Sequence, residues 1–370
     1  MKLSILRQAF LTALEIGGQV CAATPIPVTK LVKIKLDNGK IMVTSTNISI
    51  FVSKRVDIEY TGEPMEFCID PKNIQPVLKT VKDPMVDLEI DDKHVVLKHQ
   101  KGEIEIPVFS AESFPMPKIV GEARSISMDA SFFVDSIKRA AKFADKGKGL
   151  DRPALRTIYC YLNGDDLKIT ATDGHALYMT KTEYTGDKSQ LQDEGIMIPT
   201  QAVPVLTSII PMDGDIVIKD RERNLSISVD GCSVFVTKVE EKYPPVERII
   251  PTHTTHTSVP AKEFYEAINR CALMADKVSM SITLSIDGNM MDMRGEDISC
   301  QTKSKEFLLT EGGLDGLKVC LSAAFLSTII KEIEAETIDI YAESESRPVV
   351  FKARDEENTL FLLMPIKPTV

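Results

Sequence analysis

A helical pattern recurs three times at a domain-sized interval, and this repetition constrains the fold more than any other feature of the chain. Phe10, Leu14 and Gly17 sit at i, i+4 and i+7; Phe133, Ile137 and Ala140 repeat the spacing, as do Phe264, Ile268 and Cys271. Residues so spaced share one face of an α-helix. The offsets are 133 − 10 = 123 and 264 − 133 = 131 residues. A second apolar stripe follows in each third: Ile74, Val77 and Val81; Val203, Leu206 and Ile210; Leu326, Ile329 and Ile333. Pro76 and Pro204 predict that the first two of these helices are short, late-starting or kinked. Between the helices of each third lies a turn, Asp37-Asn38-Gly39, Asn163-Gly164-Asp165 or Asp287-Gly288-Asn289. Such steps supply the positive φ that tight hairpins need. Alternating segments around Gln100-Lys101, Asp230-Gly231 and Asp355-Glu356 read as further hairpins. Each third therefore reads helix, hairpin strands, helix, strands.

Polar stretches at Gly121–Ser125 and Pro251–Ser258 are the candidate boundaries, giving domains 1–123, 124–253 and 254–370. Each is expected to be α+β, with helices on one side of antiparallel sheet. A 43% hydrophobic and 26% charged composition suits a soluble globular chain. Arg7, Gln8 and Glu15 interrupt any secretory apolar region near the start. No uncharged apolar run reaches 18 residues, so no membrane span is expected. The seven cysteines are scattered and contain no C-x-x-C pair, which predicts reduced thiols in a cytoplasmic protein.

Net charge is 44 − 54 = −10, which taken alone argues against nucleic acid. Charge distribution matters more than its sum. On the helix starting near Ser131, Phe133, Ile137, Ala140, Ala141 and Ala144 occupy one arc, and Lys138, Arg139, Lys142 and Lys146 the opposite side. Lys148 and Arg152 follow. Residues 138 to 152 hold six basic and two acidic residues, +4 within a chain of −10. A solvated helix face is the plain explanation. A DNA-facing one requires only that the helix line a duplex, where Lys and Arg meet phosphates without reading bases. Arg7, Lys72, Lys79, Lys82, Lys262, Arg270 and Lys331 are lesser candidates.

Asp173 and His175 are two apart, which on a strand places them on one face and could set an acid beside a base. His253 and His256 could suggest a metal, but no third ligand is evident. Phosphate-loop, dinucleotide and nucleophile-elbow motifs are missing from the sequence. A structural histidine, with Thr172 and Asp173 holding a turn, is the simpler expectation. No catalytic residue, cofactor or metal is therefore expected. A hydrolase or nuclease, and a scaffold that never touches DNA, remain the rival classes.

Three segments carry a family resemblance. Thr170-Ala171-Thr172-Asp173-Gly174-His175-Ala176-Leu177 resembles the T-x-T-D-G-H-x-L segment of bacterial sliding clamps. Lys242-Tyr243-Pro244-Pro245-Val246-Glu247-Arg248-Ile249-Ile250-Pro251 resembles that family's F/Y-P-x-x-x-R-x-x-P segment. Leu363-Met364-Pro365-Ile366 resembles its V-M-P-M/I ending. The resemblance spans the chain in the family's order. It implies the DNA clamp fold, an α+β architecture of three similar domains. It also implies a head-to-tail homodimer whose helices line a ring around duplex DNA, with sheets outside. The family's processivity role implies as partners the replicative DNA polymerase, an ATP-driven clamp loader and repair proteins, bound through short peptide motifs. The peptide pocket carried over by motif comprises Leu155, Thr172, Gly174, His175, Leu177, Pro244, Arg248, Ile249, Pro348, Leu362, Leu363, Met364 and Pro365. The dimer contact implied would bring Ile104 and Ile106 to the area of Leu273 and Met274. The chain departs from the family at Ala176, where a larger and often basic residue is usual, and at Lys367, where Arg is common. Thr369-Val370 also run past the usual end.

Overall fold

Each third of the chain opens with a strand that runs directly into a helix. The computed structural model describes residues 1–21, 26–60, 62–147, 151–191, 195–252 and 255–367. Lys2–Leu6 leads into α1 (Arg7–Cys21), four strands separate it from α2 (Pro71–Thr80), and three more complete the first third. Arg124–Asp129 leads into α3 (Ala130–Ala140), with α4 at Val203–Ile209. His256–Pro260 leads into α5 (Ala261–Met274), with α6 at Ala323–Glu332. The leading strands were not part of the expected pattern. Two of them begin inside the polar stretches at 121–125 and 251–258.

The hairpins form where the turns predict. Asn38 and Gly39 have φ of 46° and 72°, and Asp230 and Gly231 have 47° and 71°. Two successive positive φ values match the right-handed twist of the flanking strands. The second helices end on their last apolar residue, since Val81, Ile210 and Ile333 are all C-caps. In α2 the buried stripe is Ile74 and Leu78, with Val77 only partly buried and Val81 buried at the C-cap. Pro76 lies within α2, and Pro204 sits in the first turn of the seven-residue α4.

Backbone contacts gather the chain into two compact units, and the middle third contributes to both. The first unit comprises Met1–Val134, Thr185–Gln190 and Gln201–Lys238. Its larger sheet has eight antiparallel strands, in the order Met65–Ile69, Val32–Asp37, Lys40–Thr46, Ile50–Asp57, Cys232–Thr237, Asn224–Val229, Asp215–Asp220 and Arg124–Asp129. At its centre a strand of the first third meets one of the middle third, with Phe51 opposite Phe235 and Val52 opposite Val234. A four-stranded sheet, Lys2–Leu6, Met85–Ile90, His94–His99 and Gly102–Pro107, completes the unit. α1 buries Phe10, Leu14 and Gly17. A Cβ built on Gly17 would lie 2.2 Å from the Ser45 Oγ, so with Ser45 in place a larger residue would force the helix or the serine to shift.

The second unit comprises Asp135–Tyr184, Leu191–Thr200 and Val239–Val370. Its nine-stranded sheet runs Ile196–Pro199, Thr157–Asn163, Asp166–Thr172, Ala176–Glu183, Thr359–Leu363, Val349–Ala353, Thr337–Tyr341, His256–Pro260 and Glu311–Gly312. Again a middle-third strand meets a last-third strand, Tyr178 opposite Phe361. The four-stranded sheet is Thr302–Leu309, Met290–Asp297, Ser281–Asp287 and Lys318–Ser322. α5 crosses it so closely that a Cβ on Gly295 would lie 2.1 Å from the Cys271 carbonyl oxygen. Gly17 and Cys271 hold the same place in the repeated stripe, and at both the helix touches its sheet. No helix among the described residues is long and apolar enough to cross a membrane.

Candidate functional site

The turn between strands Asp166–Thr172 and Ala176–Glu183 is built by its own side chains. Thr172 Oγ1 accepts from the Gly174 N–H at 3.0 Å and donates to the Ala176 carbonyl at 2.6 Å. Asp173 Oδ1 accepts from the N–H groups of His175 and Ala176 at 2.8 and 2.9 Å. Gly174 supplies a φ of 92°. Asp173 is thus engaged by backbone amides. His175 Nδ1 lies 3.9 Å from it, and the exposed imidazole stacks on Phe325 of α6 with ring centroids 6.0 Å apart. Neither group is arranged as an acid–base pair.

The C-terminal segment runs beside this turn. Ala176 pairs with Leu363 and Leu177 with Leu362, and the Met364 N–H donates to the His175 carbonyl at 2.8 Å. Strand alternation sends Leu177, Leu362 and Met364 to one face of the sheet, where they join Met179, Val246 and Val350 in a single apolar cluster. Tyr243 and Ile250 pack against it. Leu363 and Ala176, both fully buried, fall on the opposite face. The Leu363 side chain and Ala176, where the chain departs from the family, thus lie away from the cluster.

A loop forms the wall beside this floor. Val246 is buried, whereas Pro244, Arg248 and Ile249 are exposed around the 3₁₀ turn Val246–Ile249. Glu247 fixes that turn to the sheet. Its Oε1 accepts from Tyr161 Oη at 2.6 Å, Asn163 Nδ2 at 2.9 Å and Lys168 Nζ at 2.7 Å. Burial pushes the Glu247 carboxyl up, but the Lys168, Tyr161 and Asn163 donors outweigh it and hold it below its ordinary value. Behind the loop, Tyr159 is stacked between Tyr161 and Tyr243, each pair 4.8 Å between centroids.

Of the residues carried over by motif, Gly174, His175, Pro244, Arg248 and Ile249 are exposed, and Pro348, Met364 and Pro365 half-buried. Thr172, Leu177 and Leu362 are buried beneath them, and Leu155 is buried in the 3₁₀ turn Pro153–Arg156. Sequence patterning missed Glu247 and Phe325. The Glu247 role depends on three donors from two other strands, and the Phe325 role on a stack across 150 residues of chain.

The basic segment is less bare than its sequence implies. α3 ends at Ala140, and Lys142 lies in the turn beyond. Lys142 Nζ pairs with Glu332 Oε1 at 2.6 Å, Arg139 Nη2 with Glu334 Oε1 at 3.7 Å, and Lys138 Nζ with Asp135 Oδ1 at 4.0 Å. Lys146 and Arg152 are exposed, and Lys148 lies outside the described residues. Among the lesser candidates, Arg7 is engaged by the carbonyls of Asp83 and Leu78, at 3.2 and 3.0 Å. Lys79 pairs with Glu15, Arg270 with Glu306, and Lys331 lies over the Tyr265 ring. Lys72, Lys82 and Lys262 are exposed.

Ile106 is 2% exposed and packs into the core of the first unit with the half-buried Ile104. Leu273 and Met274 are exposed at the end of α5. His256 lies against Tyr341, and His253 is outside the described residues. No group of three or more metal-ligating side chains occurs among the described residues.

Comparison with known proteins follows the same outline. Residues 1–118 match the model of the DNA polymerase III beta subunit N-terminal domain, and residues 247–367 that of its C-terminal domain. The beta sliding clamp of Pseudomonas aeruginosa is 22% identical over 99% of this chain and 100% of its own. That of Rickettsia bellii is 21% identical over 92% of this chain and 93% of its own. The crystal structure of the DNA polymerase III subunit beta from Pseudomonas aeruginosa superposes with a TM-score of 0.91 at 18% identity, covering 100% of both chains.

Proposed function

The chain belongs to the DNA polymerase III beta subunit family and has the α+β clamp fold, and on that premise we propose that two copies close head to tail into a ring around duplex DNA. Three domains, 1–123, 124–253 and 254–370, would make up each half of the ring. The threefold element order, strand, helix, strands, helix, strands, supports that division.

Partner capture is assigned to the pocket, and one observation carries it. An exposed rim of Gly174, His175, Arg248 and Ile249 lies by an apolar cluster in which Leu177, Val246 and Leu362 are buried and Met364 is half-buried. With Ile249 exposed and Met364 half-buried, this surface would take the apolar anchors of a short peptide, and Met lets it adapt. Peptides of the replicative polymerase, the clamp loader and repair proteins are the proposed ligands. Lys138, Arg139, Lys142, Lys146 and Arg152 would meet phosphates without reading sequence. The protein needs no catalytic site of its own. Its action is mechanical: a polymerase tethered to a ring that cannot leave closed DNA gains a high effective concentration at the primer end. Loading requires outside work, and the site of action is the cytoplasm.

The test is the mass in solution together with negative-stain images of the purified protein. A dimer of 41.0 kDa chains with a central hole is expected. Retention on circular but not linear DNA would complete the case. A compact particle without a hole would overturn it.

A further inference from the structure

Three of the cations assigned to the DNA face already have a carboxylate partner within the chain. Lys138 and Arg139 stand in the last turn of α3, and Lys142 lies in the turn beyond. Lys138 pairs with Asp135 of its own helix. The other two reach the C-terminal end of α6, where Glu332 is the last helical residue and Glu334 follows two positions on. Lys142 Nζ lies 2.6 Å from Glu332 Oε1, and Arg139 Nη2 lies 3.7 Å from Glu334 Oε1. All four of these residues belong to the second unit.

The two glutamates hold their cations with different strength. The Glu332 side chain is 11% exposed and that of Glu334 is 84% exposed. Glu332 also sits at the negative end of the α6 dipole, where an acid is disfavoured unless a cation answers it. Partial burial and the dipole together make an unpaired Glu332 carboxylate costly, so it keeps hold of Lys142. Glu334, out in water at the longer distance, holds Arg139 only weakly. Lys142 itself is 50% exposed, and an ammonium has three donors, so its solvent side stays open to a phosphate.

We propose that Glu332 competes with the DNA backbone for Lys142 and so holds down the strength of the grip on duplex, with Glu334 acting more weakly on Arg139. The inference rests on the DNA face proposed above and adds the acids that oppose it. A phosphate that meets Lys142 must share it with a carboxylate already in place, so the contact gains less than one made by a bare lysine. When the duplex moves on, Glu332 takes back the charge that the phosphate releases, and Lys142 is at no point left without an anion. Each contact is then shallow and quickly exchanged, which keeps the energy flat along the backbone. Net attraction is left to cations without such a partner.

The experiment measures binding of the full-length protein to a short labelled linear duplex, onto which a ring can thread, by fluorescence anisotropy over a salt series. Glu332→Gln removes the charge and keeps a polar side chain; its thermal midpoint should not fall, because the acid at the helix end is gone. Affinity varies as about the inverse 0.9 power of salt for each phosphate contact, so one contact fully gained is worth about eightfold at 0.1 M relative to 1 M. Glu332→Gln is expected to bind roughly threefold to eightfold tighter than wild type at low salt, with a salt slope steeper by up to about 0.9. Glu334→Gln is expected to gain less than about twofold. Lys142→Gln should bind more weakly than wild type, and adding Glu332→Gln to it should bring no gain. Glu332→Gln that binds as wild type does, or that gains as much without Lys142 as with it, would overturn the competition while leaving the DNA face standing. Wild type and variants that all fail to bind duplex at any salt would overturn both.

Discussion

Replacing Glu247 by Ala removes the one oxygen on which Tyr161, Asn163 and Lys168 converge. A hydrogen bond to a charged acceptor contributes about 1.5–3 kcal/mol. The three do not add fully here, because the Glu247 side chain is 38% exposed and the Tyr161 and Asn163 donors regain water. Lys168, 14% exposed, is the donor left without a partner. A net local loss of about 2 kcal/mol follows, near one such bond. Val246 stays buried, so the loss falls on opening of the loop rather than on global unfolding. At a factor of ten per 1.4 kcal/mol, the opening equilibrium rises about thirtyfold. Amide hydrogen exchange at Val246 and Arg248, whose N–H groups bond Pro244 and Pro245, reads it directly. Glu247→Gln keeps the acceptor for Tyr161 and Asn163 and should fall between. The Glu247 carboxyl lies below its ordinary value in the folded protein. Its contribution is therefore complete above the unfolded value and lost as pH falls through the folded one. Wild-type and Ala protection should differ at neutral pH and converge below the ordinary carboxylate range. Unchanged exchange in Glu247→Ala, or an equal rise throughout the second unit, would refute the pinning role.

Three further outcomes are expected. Gly17→Ala should destabilise by about 1–2 kcal/mol in chemical denaturation despite its better helix propensity, because the new methyl meets Ser45; adding Ser45→Gly should recover most of the loss. Native labelling with a thiol reagent should modify Cys300 alone among the seven cysteines, the others being buried, with the Cys160 thiol pushed up to about 12 by burial. Lys138→Glu with Lys142→Glu should weaken salt-sensitive retention on circular DNA without lowering the thermal midpoint by more than a few degrees, and unchanged retention would remove these lysines from the DNA face.

The sequence made the repeat legible because its helices are amphipathic and its turns use Asn-Gly and Asp-Gly, both local signals. The leading strands Lys2–Leu6, Arg124–Asp129 and His256–Pro260 were not legible. They are short, and two lie in polar stretches that read as linkers. Pairing was hidden too: nothing in Ile50–Asp57 says that its neighbour is Cys232–Thr237. At the pocket, the motifs found the turn at Thr172–Ala176 because its Asp and Gly are fixed by local geometry. They could not separate Leu362 from Leu363, since facing depends on the phase of the strand. The basic stretch looked unopposed because Glu332 and Glu334 arrive from almost two hundred residues away.

The two sheets shared between neighbouring thirds put the unit that repeats out of phase with the unit that folds. Residues 124–253 look in sequence like a self-sufficient module. Yet their strands Cys232–Thr237 and Ala176–Glu183 are interior strands of two different sheets, each completed by a neighbouring third. Excised, that segment would leave two strand edges unpaired, a ready template for aggregation. Each third is the lateral support of the next. Truncation at the repeat boundaries should therefore be far less forgiving than at the surface hairpins, and a protein cut there should lose the middle segment first.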